Sequence, residues 1–312
     1  MAFLLDIGDV LNGIYNTISS GDNISGRVMR AVATMWIRDG VLVNRMHVNP
    51  VAFAFSYWFF VPPEKKRSIS LESLINFGFA KSGVSCAEKM MLFNTECGAL
   101  VEDIEAAASF YNVLATEAAK SCTYFEGAIQ LLQDLRAAGA QNFITSAVEQ
   151  SVLDDWAGSS QGSLIAPYLT EVLGKRLNFL KGANHFEYVA SRVGGEPIYY
   201  VADAEFEIST AREYSSRYNL VPIGFGYAIQ KQQVMDAVEL VQKALSVCAR
   251  NKAPEQTIDF DVDVNRELLL IPDKVGVENS LRSAGAKYLV TGGATEIIDN
   301  LRLYFEEVSV VC

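Results

Sequence analysis

Four places in the sequence put reactive groups at the ends of short apolar runs. Asp6 follows "FLL", Thr145 follows "NFI", Lys181 stands just before a helix-like stretch, and Asp203 and Glu207 follow "IYYVA" four residues apart. A carboxylate can act as a nucleophile, paired oxygen donors suit a hard cation, and hydroxyl and ammonium groups stabilise anionic oxygens. Ligands of open α/β sheets bind beyond the carboxyl ends of the strands, so one ligand could meet all four places. Taken singly, each also has an ordinary structural reading. Asp6 serves as a turn residue, Thr145 as a strand end, Lys181 as a solvated surface lysine, and the two acids as favourable charges near a helix N-terminus.

The elements that must carry these residues follow from periodicity. From Phe143 onward, short apolar runs alternate with amphipathic stretches, the pattern of a parallel sheet with helices on both faces. "AFLL", "NFIT" (142–145), "PIYYVA" (197–202), "LVPIG" (220–224) and "KYLVT" (287–291) read as strands. "GAIQLLQDLRAAG" puts Ile129, Leu131, Leu132 and Leu135 on one helical face and stops at Gly139. "ANHFEYVASRVGG" repeats Phe186, Val189, Ala190 and Val193 before two glycines, and Ser146 with Glu149 reads as a capping box that starts a helix.

Residues 13–122 look different and predict a mostly helical insert. "GRVMRAVATMWIRDG" places Val28, Val32, Met35 and Trp36 on one face, and "VEDIEAAASFYNVLATEAAKS" is a second helix; only "VAFAFSYWFFV" carries any strand signal. A further insertion is expected at 229–281, with a helix "QQVMDAVELVQKALSVCAR" and then "TIDFDVDVNRELLLIP" as a strand or hairpin. The expected architecture is α/β: a three-layer, Rossmann-like parallel sheet core from 1–12 and 123–312, with an inserted helical cap domain at 13–122.

Composition narrows the function classes. A chain of 312 residues that is 50% hydrophobic can bury a large core. Its longest apolar run, Val51 to Val61, is too short to span a bilayer, and the first apolar stretch lacks a basic lead and ends on Asp6, so neither membrane span nor secretory signal is predicted. The cytoplasm is the expected location. Five cysteines without CxxC spacing read as reduced thiols, and 37 acidic against 26 basic residues, a net charge of −11, disfavour nucleic acid as a partner.

In their order, "LLDIGDVL", "LRAAGAQNFITS", "LKGANHFEYVASRVGG" and "IYYVADAEFEISTAREY" resemble the motifs of the haloacid dehalogenase-like hydrolase superfamily. "LVPIGFGYA" and "LRSAGAKYLVTGGATEIIDNL" extend the resemblance across the core and leave both insertions unmatched. It implies that Asp6 is the nucleophile, that Thr145, Ser146 and Lys181 hold a substrate phosphate, and that Asp6, Asp203 and Glu207 bind magnesium. The implied function is magnesium-dependent hydrolysis of small-molecule phosphate esters through an aspartyl-phosphate, with a cap that closes over the site.

Two positions depart from the family pattern. Its first motif reads Asp-x-Asp, the second Asp being the general acid, whereas Gly8 stands there and Asp9 follows. Asp9 is a candidate replacement, because Gly8 frees the local backbone, and substrates with good leaving groups, such as acyl phosphates or sugar 1-phosphates, need the acid least. The fourth motif has Ala202 for the usual Gly and Glu207 for the later Asp. These departures leave two alternatives open: a metal-independent enzyme attacking carbon, as haloacid dehalogenases do, and a catalytically weak binding or regulatory protein. His47, His185 and "EKKR" (64–67) read as structural or solvated, and "GFGYA" is not a dinucleotide fingerprint.

Overall fold

The computed structural model describes residues 33–98, 100–252 and 263–311. Along the chain run β1 (Ala33–Ile37), α1 (Val48–Phe60), α2 (Leu71–Ala80), α3 (Cys86–Cys97), α4 (Ile104–Ala119), α5 (Ala128–Ala137), β2 (Gln141–Glu149), α6 (Gln150–Ala157), β3 (Glu171–Lys175) and α7 (Ala183–Val193). There follow β4 (Ile198–Ala202), α8 (Glu205–Glu213), α9 (Ser215–Tyr218), β5 (Leu220–Tyr227), α10 (Lys231–Lys252), α11 (Lys274–Ala284), β6 (Tyr288–Gly292) and α12 (Ile297–Val311). The strands form one sheet in the order β3-β2-β1-β4-β5-β6, and every adjacent pair is parallel. This is the three-layer α/β core expected from the alternating pattern.

The strand at the middle of that sheet is not the expected one. "AFLL" and Asp6 lie outside the described residues, whereas Ala33–Ile37, read from the sequence as part of a helix, is β1, lying between β2 and β4. All five of its residues are buried. A strand covered on both faces needs no alternation of apolar and polar residues, so Met35 and Trp36 beside Val32 mimic helical spacing. Its one polar side chain is satisfied: Thr34 Oγ1 donates to Asn142 Oδ1 at 2.7 Å and accepts from Trp36 Nε1 at 2.6 Å. Asn142 in turn donates to the Leu132 and Tyr168 carbonyls, which ties β1 to β2 and α5 through a closed polar network.

Three other expectations change. A helix, α6, does start directly after β2 with Glu149 at its N-cap, but Ser146 and Glu149 form no capping box, because β2 continues to Glu149 and the Ser146 hydroxyl accepts from the Val148 amide instead. "VAFAFSYWFFV" is helical, as α1, and among the described residues no strand lies between α10 and α11. Strand β3 carries no apolar run; it is a short edge strand, partly exposed, with charged ends.

Helices α1–α4 pack into a second hydrophobic cluster apart from the sheet. Val51, Phe53, Tyr57, Leu74, Ile75, Met90, Phe93 and Leu114 form its centre. The long helix α10, from the second insertion, adds Val234, Val238, Val241 and Leu245 to the same cluster. The helical insert is thus built from 48–119 plus a helix contributed some 110 residues later.

Candidate functional site

The carboxyl end of β1 supports a tight loop. Leu42 and Val43 amides donate to the Arg38 carbonyl at 3.2 and 2.8 Å, and the Gly40 amide donates to Val43 at 2.9 Å. Gly40 has φ +100°, and a β-carbon there would stand 2.3 Å from Asp203 Oδ2. Glycine is needed twice over, for the backbone conformation and for the approach of Asp203 from the end of β4.

Within the loop, Asp39 is clamped. Arg38 donates to it through Nε at 2.7 Å and through Nη2 at 2.9 Å, and Arg45 Nη1 stands 3.4 Å away. The Arg38 guanidinium also lies 5.0 Å over the Trp156 ring. Burial favours the neutral acid, but Arg38, Arg45 and the nearby Lys181 outweigh it and hold the Asp39 carboxyl well below the usual carboxylate range. A carboxylate so held is a poor proton acceptor.

The residues expected from the later motifs gather around this loop. Lys181, immediately before α7, forms an ion pair with Glu207 of α8, and its charge also acts on Asp39 and Asp203. Glu207 is 6% exposed, and its Oε2 is buried without a hydrogen-bond partner. Burial and then the Glu207 carboxylate push Asp203 up to about 8. Thr145, fully buried, lies in register with Ile37, and its hydroxyl meets His185 Nδ1 of α7 at 2.7 Å. Burial brings His185 down to about 4, so the ring is neutral at neutral pH and orients Thr145 by hydrogen bonding alone.

The helical insert reaches the same place. Lys89 of α3 is 8% exposed, and Glu207 and Asp203 are the carboxylates that act on its ammonium, which burial otherwise drives down. The partly buried Tyr111 of α4 is close enough for Arg45, Asp39 and Arg38 to act on its hydroxyl. Burial raises the Cys86 thiol to about 12, which leaves it unreactive at neutral pH.

Thr145, Lys181, Asp203 and Glu207 are therefore brought together, and Ser146 lies beside Thr145 with its hydroxyl turned to the backbone. Asp6 and Asp9 lie outside the described residues. The family pattern Asp-x-Asp, set on the strand between β2 and β4, reads Ile37-Arg38-Asp39: apolar where the first carboxylate stands, acidic where the second does. Arg38, Asp39, Arg45 and Lys89 are the residues missed in the sequence. The run "TMWI" followed by Asp-Gly and a second apolar run carried the signal for Asp39.

Magnesium does not fit the described residues by themselves. Among them no three His, Cys, Asp or Glu side chains form a cluster able to hold a metal ion. Asp39 gives its oxygens to arginines, Glu207 gives one to Lys181, and a divalent ion between Asp203 and Glu207 would face the charges of Lys181 and Lys89. Four cations, Arg38, Arg45, Lys89 and Lys181, stand around three carboxylates, Asp39, Asp203 and Glu207. That balance favours an anionic ligand.

No family model matches the sequence, and no curated protein is detectably similar to it. Solved structures do resemble the fold. A predicted phosphatase from Clostridium acetobutylicum aligns over 89% of this chain and 99% of its own length, with 15% identity and a TM-score of 0.54. A hydrolase from Pseudomonas syringae aligns over 87% of this chain and 97% of its own, with 14% identity and a TM-score of 0.50.

Proposed function

We propose, from the haloacid dehalogenase-like fold that this chain has, that it acts on small phosphorylated molecules as a hydrolase of the phosphatase type, at the carboxyl end of β1. The observation that carries the reading is the convergence of Thr145, Lys181, Asp203 and Glu207, from separate elements, on the loop 38–40 under the helical insert. Lys181 supplies charge to a phosphate, Thr145 and Ser146 are its candidate hydroxyl donors, and the insert excludes water from the closed site. A net charge of −11 and the free thiols of Cys86, Cys97, Cys122 and Cys248 agree with a small-molecule ligand and a cytoplasmic setting.

The nucleophile of this reading is Asp6. An aspartyl-phosphate forms when its carboxylate attacks phosphorus and the leaving oxygen departs, and water then hydrolyses it. Asp9 is the proposed proton donor. Phosphate release from acyl phosphates and sugar 1-phosphates by the wild type, abolished in Asp6→Asn, supports this assignment. Release that survives in Asp6→Asn removes it.

Ile37 favours a second reading, a binding protein of the same fold that holds a phosphorylated ligand without turnover. Ligand-induced thermal stabilisation without phosphate release, unchanged in Asp6→Asn, would select it.

A further inference from the structure

The loop before α3 is seated on the start of α8. A β-carbon at Gly83 would lie 3.1 Å from Ala204 Cβ and 3.4 Å from Glu207 Cγ, so the insert meets the core directly above the acidic pair. Ser85 caps α3, accepting from the Glu88 amide, and the helix then turns Lys89 inward, where it is 8% exposed. Below it stand Asp203, just past the end of β4, and Glu207, in the first turn of α8. One Glu207 oxygen takes Lys181, and the other is buried without a hydrogen-bond partner. A buried carboxylate with a second one beside it is costly unless compensated, and Lys181 supplies a single charge.

We propose that Lys89 is the second counter-charge: with Lys181 it takes the place that a divalent cation would fill beside Asp203 and Glu207, so the site works without bound metal while the insert is seated. The inference rests on the proposed function for what the site holds, and deepens it by assigning the positive charge to a residue of the insert. The electrostatic effect of Glu207 and Asp203 on Lys89, opposing its burial, agrees with this placement. Lys89 is here a positioning residue, because it acts on the acidic pair.

The test is a calorimetric titration of the full chain with magnesium chloride, comparing wild type with Lys89→Met and Lys89→Arg. The wild type and Lys89→Arg are expected to give no saturable binding at millimolar magnesium. Lys89→Met is expected to bind about tenfold tighter or better, the change that about 1.4 kcal/mol of removed repulsion produces. Lys89→Gln is titrated as well, in case the methionine variant does not fold. Saturable binding by the wild type overturns the inference, and so does a neutral variant that binds no better than the wild type. Phosphorylated-ligand binding is measured on the same samples. Its absence removes the functional reading, whereas magnesium binding by the wild type removes only this one.

Discussion

Ile37 lies directly across from Thr145 where β1 pairs with β2. Thr145 is a residue the family pattern expects at this edge, and Ile37 is not. The strand that should present a reactive carboxylate beside the threonine presents an isoleucine that is 6% exposed, and the next carboxylate, Asp39, is held by two arginines. In the proposed readings the chemistry at this edge falls to residues outside β1, with Asp6 as the proposed nucleophile and Lys89 in the proposed charge balance.

Arg38 is buried and Asp39 partly buried, so removing Arg38 leaves the carboxylate with Arg45 as its remaining cation. Arg38→Ala is expected to destabilise the protein by about 1–3 kcal/mol, and Arg38→Met with Asp39→Leu to recover most of that loss. Urea denaturation of the two variants checks it. Equal losses in both would show that the pair is not the source.

Gly40→Ala combines strain at φ +100° with a β-carbon 2.3 Å from Asp203 Oδ2. A loss of about 1–3 kcal/mol is expected from the backbone alone, with the collision adding to it. In an Asp203→Gly background the backbone part should remain, together with the 2.8 Å approach to Met46 Cγ. An unfolding midpoint unaffected by Gly40→Ala would contradict this geometry.

The two histidines set an acid limit on stability. Burial lowers both His47 and His185 from 6.5 to about 4. Between those values the unfolded chain binds protons that the folded chain does not. Their contribution is thus full above pH 6.5 and is lost as pH falls toward 4, by about 1–3 kcal/mol for each residue. Asp203, whose folded value is raised from 3.8 to about 8, acts in the opposite sense throughout this window, so wild type is compared with a His47→Gln, His185→Gln double variant. Unfolding midpoints from pH 7 to pH 4.5 should fall more steeply in the wild type.

Much of the sheet was legible because β2, β4, β5 and β6 are compact apolar runs between helices with ordinary stop signals, as at Gly139 and Gly194. β1 was not, because a strand buried on both faces loses the alternation that marks strands, and β3 was not, because an edge strand needs little apolar surface. Lys181, Asp203 and Glu207 could be found by their place at element ends. The Thr145–His185 bond and the position of Lys89 arise from residues far apart in sequence, and the Arg38–Asp39–Arg45 clamp from a tight loop that no apolar periodicity marks.

The central claim is that the edge formed by Thr145, Lys181 and the acidic pair binds phosphorylated small molecules. Its most direct test is calorimetric titration of the full chain with a panel of acyl phosphates and sugar 1-phosphates, repeated on Lys181→Gln after its fold is verified by circular dichroism. Saturable binding by the wild type that weakens at least about tenfold in Lys181→Gln is predicted, since loss of one charge-assisted contact costs about 1.5–3 kcal/mol. No binding by the wild type, or equal binding by both proteins, would contradict the account.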